Sequence, residues 1–186
     1  MKKITLTGLC VMMLSGVLFA QHHAQIGIKG GANFSALSAN GSSSDQRTGF
    51  NAGLLAHFHV SPHFAVQPEV MYSSQGAEYT DVAKTKLNYI NVPVLGQYMF
   101  GNGLRLQTGP QVGILTSAES KNGNTETEVK SSFKKTDVSW SFGTSYLTRS
   151  NIGIDARYNL GLTDISKNNS DLKNRVWQVG LFYQFR

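Results

Sequence analysis

Cysteine is almost missing from this sequence: Cys10 stands alone among 186 residues. It lies in an apolar stretch, 4–20, that follows Lys2 and Lys3 and ends at Ala20, the pattern of a secretory signal peptide. Leu9 before it and its place so near the start do not suit lipoprotein processing. Whether cleavage falls after Ala20 or after Ala24, the mature protein then has no thiol. That excludes disulfide frameworks, cysteine-ligated zinc and cysteine nucleophiles together. The same stretch is at the short limit for a helix crossing about 30 Å of hydrocarbon. Residues 1–20 therefore read as a leader, and 21–186 as one domain.

Charge is scarce as well, at 15 % of residues against 40 % apolar. The 17 basic and 11 acidic residues give a formal charge of +6, and Lys2 and Lys3 belong to the leader. Lys134-Lys135 is the one basic doublet after it, so no nucleic-acid footprint is present. No later apolar run is long enough for a membrane helix, and no long window carries the i, i+3, i+4 spacing of an amphipathic one.

What the chain has instead is period two. In 48–60, Phe50, Ala52, Leu54, Ala56, Phe58 and Val60 alternate with Asn51, Gly53, Leu55, His57 and His59. The same beat occupies 25–34, 63–73, 87–100, 104–115, 137–147, 152–162 and 175–185. Eight strands of this length, tilted by about 40°, rise about 25–30 Å, the height of a bilayer's apolar band. The connections alternate between tight turns (61–63, 101–103, 149–151) and longer stretches rich in Ser, Asn, Gly, Lys and Thr (36–47, 74–86, 116–135, 164–174). The fold expected is an all-β, eight-stranded antiparallel up-and-down transmembrane β-barrel, with the short turns and both termini periplasmic and the long loops extracellular.

The polar face decides between a lipid-facing barrel and a soluble one with an apolar interior. It mixes glycine with long hydrogen-bonding side chains, which suits a narrow lumen filled by side chains. Lys29, Arg105 and Arg157 on it balance Glu69, Asp137 and Asp155, since an unpaired buried charge is costly. We expect a luminal ion-pair and amide network, with Glu69 near Arg105 or Arg157; the alternative is solvation by luminal water. The other face carries aromatic residues near the strand ends. Phe34, Phe50, Tyr72, Tyr89, Trp140 and Trp177 lie toward the long loops, and Phe58, Phe64, Tyr98, Phe100, Tyr146 and Phe185 toward the short turns. Between them lie aliphatic residues such as Leu54, Val92, Val94 and Ile154, giving two interfacial girdles around a belt. Pro68, Pro93 and Pro110 fall inside proposed strands, where bulges or strand ends are expected.

The segments FAVQPEVMYSSQG at 64–76, YINVPV at 89–94, GPQVG at 109–113 and DARYNLGLT at 155–163 resemble the outer-membrane β-barrel domain family that includes the PorT-like proteins. The resemblance spans the mature chain, carries the strand prolines with it and defines no reaction. It implies barrel-assembly machinery as a partner in biogenesis, read through the final LFYQFR, although Arg186 displaces Phe185 from the last position.

Candidate chemistry is thin. His57 and His59 lie two apart on one strand face with His63 beyond the turn, and His22 and His23 sit at the mature start, but no carboxylate accompanies them. No cofactor, metal site or catalytic group is expected, and an eight-stranded lumen is too full for a general pore. The expected role is envelope structure or surface interaction, with outer-membrane lipids and an extracellular protein as partners. An accessory part in a PorT-like secretion or envelope-assembly machine is the alternative, and an outer-leaflet lipid-modifying enzyme the third.

Overall fold

Side chains that alternate across a strand give a sheet one polar and one apolar face, and closing that sheet removes its edges. The computed structural model describes residues 24–39, 42–80, 83–122, 125–167 and 172–185; the expected leader lies outside them, as do His22 and His23. Eight long strands form the barrel: β1 (Gln25–Ala39), β3 (Asp45–His59), β4 (Phe64–Thr80), β5 (Ala83–Met99), β6 (Leu104–Asn122), β8 (Thr136–Leu147), β9 (Ile152–Gly161) and β10 (Lys173–Gln184). Each pairs antiparallel with the next, and β10 pairs with β1 to close the ring. Two short strands, β2 (Ser42–Ser43) and β7 (Thr125–Glu128), and a 3-10 turn at Lys130–Ser132 sit at the long-loop end. Among the described residues no helix is long and apolar enough to cross a membrane, which leaves crossing by strands open.

The polar face is inside. Asn33, Gln67, Gln97, Gln107, Gln111, Ser141, Asn159 and Gln178 are all buried, while Leu54, Val70, Ile154 and Leu181 on the other face are more than half exposed. Tight turns join β3–β4, β5–β6 and β8–β9. In the second of these Gly103 has φ of 95°, and in the third Asn151 has φ of 62°, both in the left-handed region that such turns need.

Two expectations are corrected. Among the described residues, most of 36–47 and 74–86 and much of 116–135 are strand rather than loop: β1 runs to Ala39, β4 to Thr80, β5 starts at Ala83, and β6 runs to Asn122 and pairs with β7. The barrel therefore projects well past its apolar band. The three prolines also cause neither a bulge nor a strand end. The β3–β4 ladder lapses between Leu55–Glu69 and Phe58–Val66, opposite Pro68, and resumes in the same register. The β4–β5 ladder does so between Pro68–Val94 and Met71–Asn91, beside Pro93, and the β5–β6 ladder between Pro93–Gln111 and Gly96–Thr108, beside Pro110. Each proline lacks the N–H for one neighbour and keeps its register partner on the other: Pro68 with Val94, Pro93 with Gln111, Pro110 with Trp140. The register shifts lie elsewhere, for example between Asn88 and Tyr89 in the β5–β6 pair.

Candidate functional site

Three strands bring four of the lumen's charges together. Lys29 of β1, Glu69 of β4, and Asp155 and Arg157 of β9 all point inward and are all buried. Arg157 Nη1 and Nη2 each donate to a Glu69 oxygen at 2.9 Å, a two-pronged pairing that a guanidinium's planar fork favours. Lys29 Nζ donates to Asp155 and lies 3.9 Å from Glu69, and Arg157 lies 3.6 Å from Asp155. Two cations thus face two carboxylates, and the cluster is neutral. Gln67 Nε2 donates to Glu69 at 2.8 Å and Gln107 Nε2, from β6, to Asp155, so every oxygen of the two carboxylates accepts at least one hydrogen bond. Of the six charged residues read from the sequence, these four meet at the middle of the barrel. Arg105 and Asp137 are buried but stand apart, one toward each end. Arg105 Nη2 donates to Gln184 Oε1 at 3.3 Å, and Asp137 accepts from Thr163 Oγ1 at 3.1 Å.

Toward the long-loop end an amide layer follows. Asn33 Nδ2 donates to Ser73 Oγ and to the Ser74 carbonyl, both at 2.9 Å, and Asn33 Oδ1 accepts from Asn51 and Gln178. Gln111 Nε2 donates to Ser139 Oγ at 3.0 Å, and Ser141 Oγ to Asn159 Oδ1 at 2.7 Å.

Above it the lumen ends in an apolar cap that sequence reasoning missed. Leu37, Ala77, Leu87, Tyr89, Leu115, Ala118 and Ile165 form one buried cluster, with Val129, Phe133 and Leu172 packed against it. Ile165 reaches it from residues 162–167, after β9, where its N–H donates to the Leu172 carbonyl and its carbonyl accepts from Lys134. That segment is tied by Asp164, whose carboxylate accepts from Lys134 Nζ at 2.9 Å and from the N–H groups of Ser166 and Leu172 at 2.9 and 3.0 Å. The Lys134 hydrogen bond first, then the backbone ones, hold this carboxyl below the ordinary aspartate range. Its folded value being the lower, the tie is present above the unfolded value and lost as pH falls through the folded one. The Ile165 methyl resonances are expected to shift on acidification below about pH 4 in the native protein. In Asp164→Asn that acid-dependent shift is expected to vanish; its persistence contradicts the role of Asp164.

Tyr89 corrects the aromatic assignment. It was expected on the outer girdle, yet it is 1 % exposed and belongs to the cap. Strict alternation from Val92 and Val94 puts Ile90 outward and Tyr89 inward. The other eleven girdle residues face outward. Phe50 packs on Tyr72 at 5.6 Å between ring centroids toward the long loops, and Phe64, Tyr98 and Phe100 form a chain at 5.1 and 4.9 Å toward the short turns. Tyr158 and Tyr183, not singled out from sequence, join them by packing on Trp177 and Phe185.

Beyond the band, the outward face of the strand extensions is a grid of charge. Lys84 pairs with Glu78 at 3.1 Å, Lys86 with Glu119 at 3.4 Å, and Lys121 with Glu126 at 3.4 Å. Arg47 lies beside them with Nη1 on the Gln75 carbonyl at 2.8 Å, and it lines with Lys84, Lys86, Glu119, Lys121 and Glu126 a shallow hollow of about 180 Å³. At the opposite end His57 and His59 meet edge to face at 4.6 Å, and His63 stacks on Tyr98. Among the described residues no group of three or more His, Cys, Asp or Glu is placed to hold a metal.

The sequence profile of the outer membrane protein β-barrel domain family matches residues 19–167. No curated protein sequence matches the chain. Among solved structures the chain is similar to Ail, the attachment invasion locus protein of Yersinia pestis, at 18 % identity over 88 % of this chain and 99 % of that one, TM-score 0.57. The same protein in complex with the heparin analogue sucrose octasulfate gives 19 % identity, the same coverage and a TM-score of 0.56. Neisserial surface protein A gives 14 % identity over 86 % of this chain and 97 % of that one, TM-score 0.60. Likeness at such identities speaks for the fold, and fold and profile together place the protein in the outer membrane. The chain belongs to the outer membrane protein β-barrel domain family.

Proposed function

We propose that the protein is a plugged outer-membrane barrel whose long-loop end faces the cell exterior and binds another protein. The observation that carries this is the build of that end. Paired strand extensions enclose a buried apolar cap, so the exposed charges stand on a rigid platform rather than on solvated loops. The tight turns, the start of β1 and the end of β10 share the opposite mouth, an arrangement that supports a periplasmic position for it. A full lumen with a neutral charge cluster and an apolar cap supports a role at the surface over one in passage.

The charge pattern selects the partner. Ail has been crystallised with a heparin analogue, and a polyanion wants a surplus of cations. Here Lys84, Lys86 and Lys121 each already face a glutamate, and such a mixed grid complements a surface of mixed charge, which is a protein's. The PorT-like secretion role suggested by sequence also needs a protein partner; a stoichiometric envelope protein in mild-detergent purification would favour it over attachment.

Two measurements test the proposal. Thr127→Cys on β7 is expected to react with a membrane-impermeant maleimide on intact cells, and Asn102→Cys in a tight turn only after the outer membrane is opened; the reverse pattern refutes the orientation. Cells making the protein are expected to be retained on protein-coated surfaces. The Lys84→Glu, Lys86→Glu, Lys121→Glu triple variant, still heat-modifiable on gels, is expected to lose most of that retention. Equal retention contradicts the binding face.

A further inference from the structure

The long-loop end carries an open strand edge that the barrel itself does not use. β8 pairs with β6 from Leu104↔Tyr146 up to Ile114↔Thr136, whereas β6 runs on to Asn122. In the place that β8 leaves, β7 pairs with β6 from Glu119↔Glu128 to Asn122↔Thr125, and among the described residues no strand lies on the far side of β7. The ring that β10 and β1 close lower down ends at this height in a free edge. Such an edge is a row of unpaired N–H and C=O groups, a template for another strand.

The ladder's alternation tells which groups are free. Just beyond β7, the Val129 N–H donates to the Ala118 carbonyl at 2.9 Å. In an antiparallel pair the residues that bond the neighbouring strand recur at every second position. Thr127 and Thr125 therefore turn their backbone groups toward β6, and Glu128 and Glu126 turn theirs away from it. All four residues of β7 are exposed.

The residues with free backbone groups also carry the charge. Glu126 lies 3.4 Å from Lys121, with both side chains more than half exposed. Glu128 stands opposite Glu119, which already holds Lys86, and among the described residues it has no ion pair of its own. Like charges directly opposite disfavour each other, so a cation brought to Glu128 relieves a conflict. On an incoming strand the residues opposite Glu126 and Glu128 are two apart and project to the same face. A second copy of the chain would bring glutamates there and set like charges together. A segment with lysine or arginine at both places brings the matching sign.

We propose that the β7 edge docks an extended segment of a partner protein as an added strand, with basic residues at alternate positions against Glu126 and Glu128. Backbone pairing holds the segment, and the two glutamates select its charge and reject an acidic strand. The inference rests on the reading of this end as a protein-binding face and gives that face its mode of recognition.

The test titrates the ¹⁵N-labelled, refolded full-length mature barrel, in phosphatidylcholine nanodiscs, with a capped peptide of alternating threonine and lysine. Saturable shifts of the Glu126 and Glu128 amide protons are expected, with slowed hydrogen exchange at those two and little change at Thr125 and Thr127. N-methylation of the peptide's lysine backbone nitrogens keeps every charge and removes the donors; it is expected to abolish the response, as is glutamate in place of lysine. Glu128→Pro removes one outward N–H and spares the bonds to β6, and is expected to abolish binding in a barrel that keeps its heat-modified mobility. Glu128→Gln is expected to weaken binding about two- to fivefold. No saturable shift at Glu126 and Glu128, equal binding of the N-methylated peptide, or undiminished binding in Glu128→Pro overturns the proposal. Cell retention separates this proposal from the reading beneath it. Retention lost in the triple lysine variant yet unchanged in Glu128→Pro refutes the edge alone; peptide bound at the edge with no retention of wild-type cells refutes the binding-face reading alone.

Discussion

Arg157→Met is expected to lower the unfolding free energy of the barrel in lipid vesicles by about 3–5 kcal/mol, the cost typical of breaking a buried ion pair by removing one partner. The substitution strands Glu69, which is 1 % exposed and loses two charge-assisted hydrogen bonds at 2.9 Å. It also leaves Lys29 facing two carboxylates, so the cluster gains a net negative charge in a confined space. The companion Arg157→Met, Glu69→Leu double variant removes one charge of each sign and keeps the Lys29–Asp155 pair. It is expected to recover most of the loss, because replacing a whole buried pair by apolar groups is often close to neutral. Urea titrations of the three proteins, followed by tryptophan fluorescence and gel mobility, check this. A double variant as unstable as the single one contradicts the view that charge balance, rather than packing, sets the cost.

The second large effect concerns the outside. Leu54→Arg places a guanidinium at the middle of the aliphatic belt and is expected to cost about 2–4 kcal/mol, whereas Val60→Arg beyond the short-turn girdle is expected to cost about 0–1 kcal/mol. Both positions are outward and exposed, at 58 and 69 %. A soluble protein would tolerate arginine equally at either, so it is the depth dependence that reports lipid. Equal and small costs at the two sites contradict a lipid-facing belt.

The barrel was legible because a closed sheet imposes one strict rule, period two, on residues adjacent in sequence. The six charges assigned by that rule to the polar face are all buried. Which of them pair was not legible: Arg157 and Glu69 are 88 positions apart, and Lys29 and Asp155 126, so their meeting depends on register around the whole ring. Tyr89 went to the wrong face because its residue type, suited to a girdle, was weighed above its odd separation from Val92. The cap escaped notice for a similar reason. Leu37, Ala77 and Ala118 sit in stretches whose Ser, Thr, Asn and Lys content reads as loop. There the alternation is uncharged inside against charge outside, as Ala77, Thr85 and Leu87 are against Glu78, Lys84 and Lys86, the pattern of a sheet with water on its outer face. Ile165 carries no local signal at all.

The central claim is that neighbouring residues on each strand face different solvents, acyl chains on one side and a polar interior on the other. Cross-relaxation between lipid acyl protons and side-chain methyls, measured by NMR on the barrel in nanodiscs, tests it residue by residue. Acyl-chain contacts are predicted for the methyls of Leu54, Val94, Ile154 and Leu181, with none for Leu55, Leu95 or Val176 beside them in the fold. Contacts to the second group, or none to the first, would contradict it.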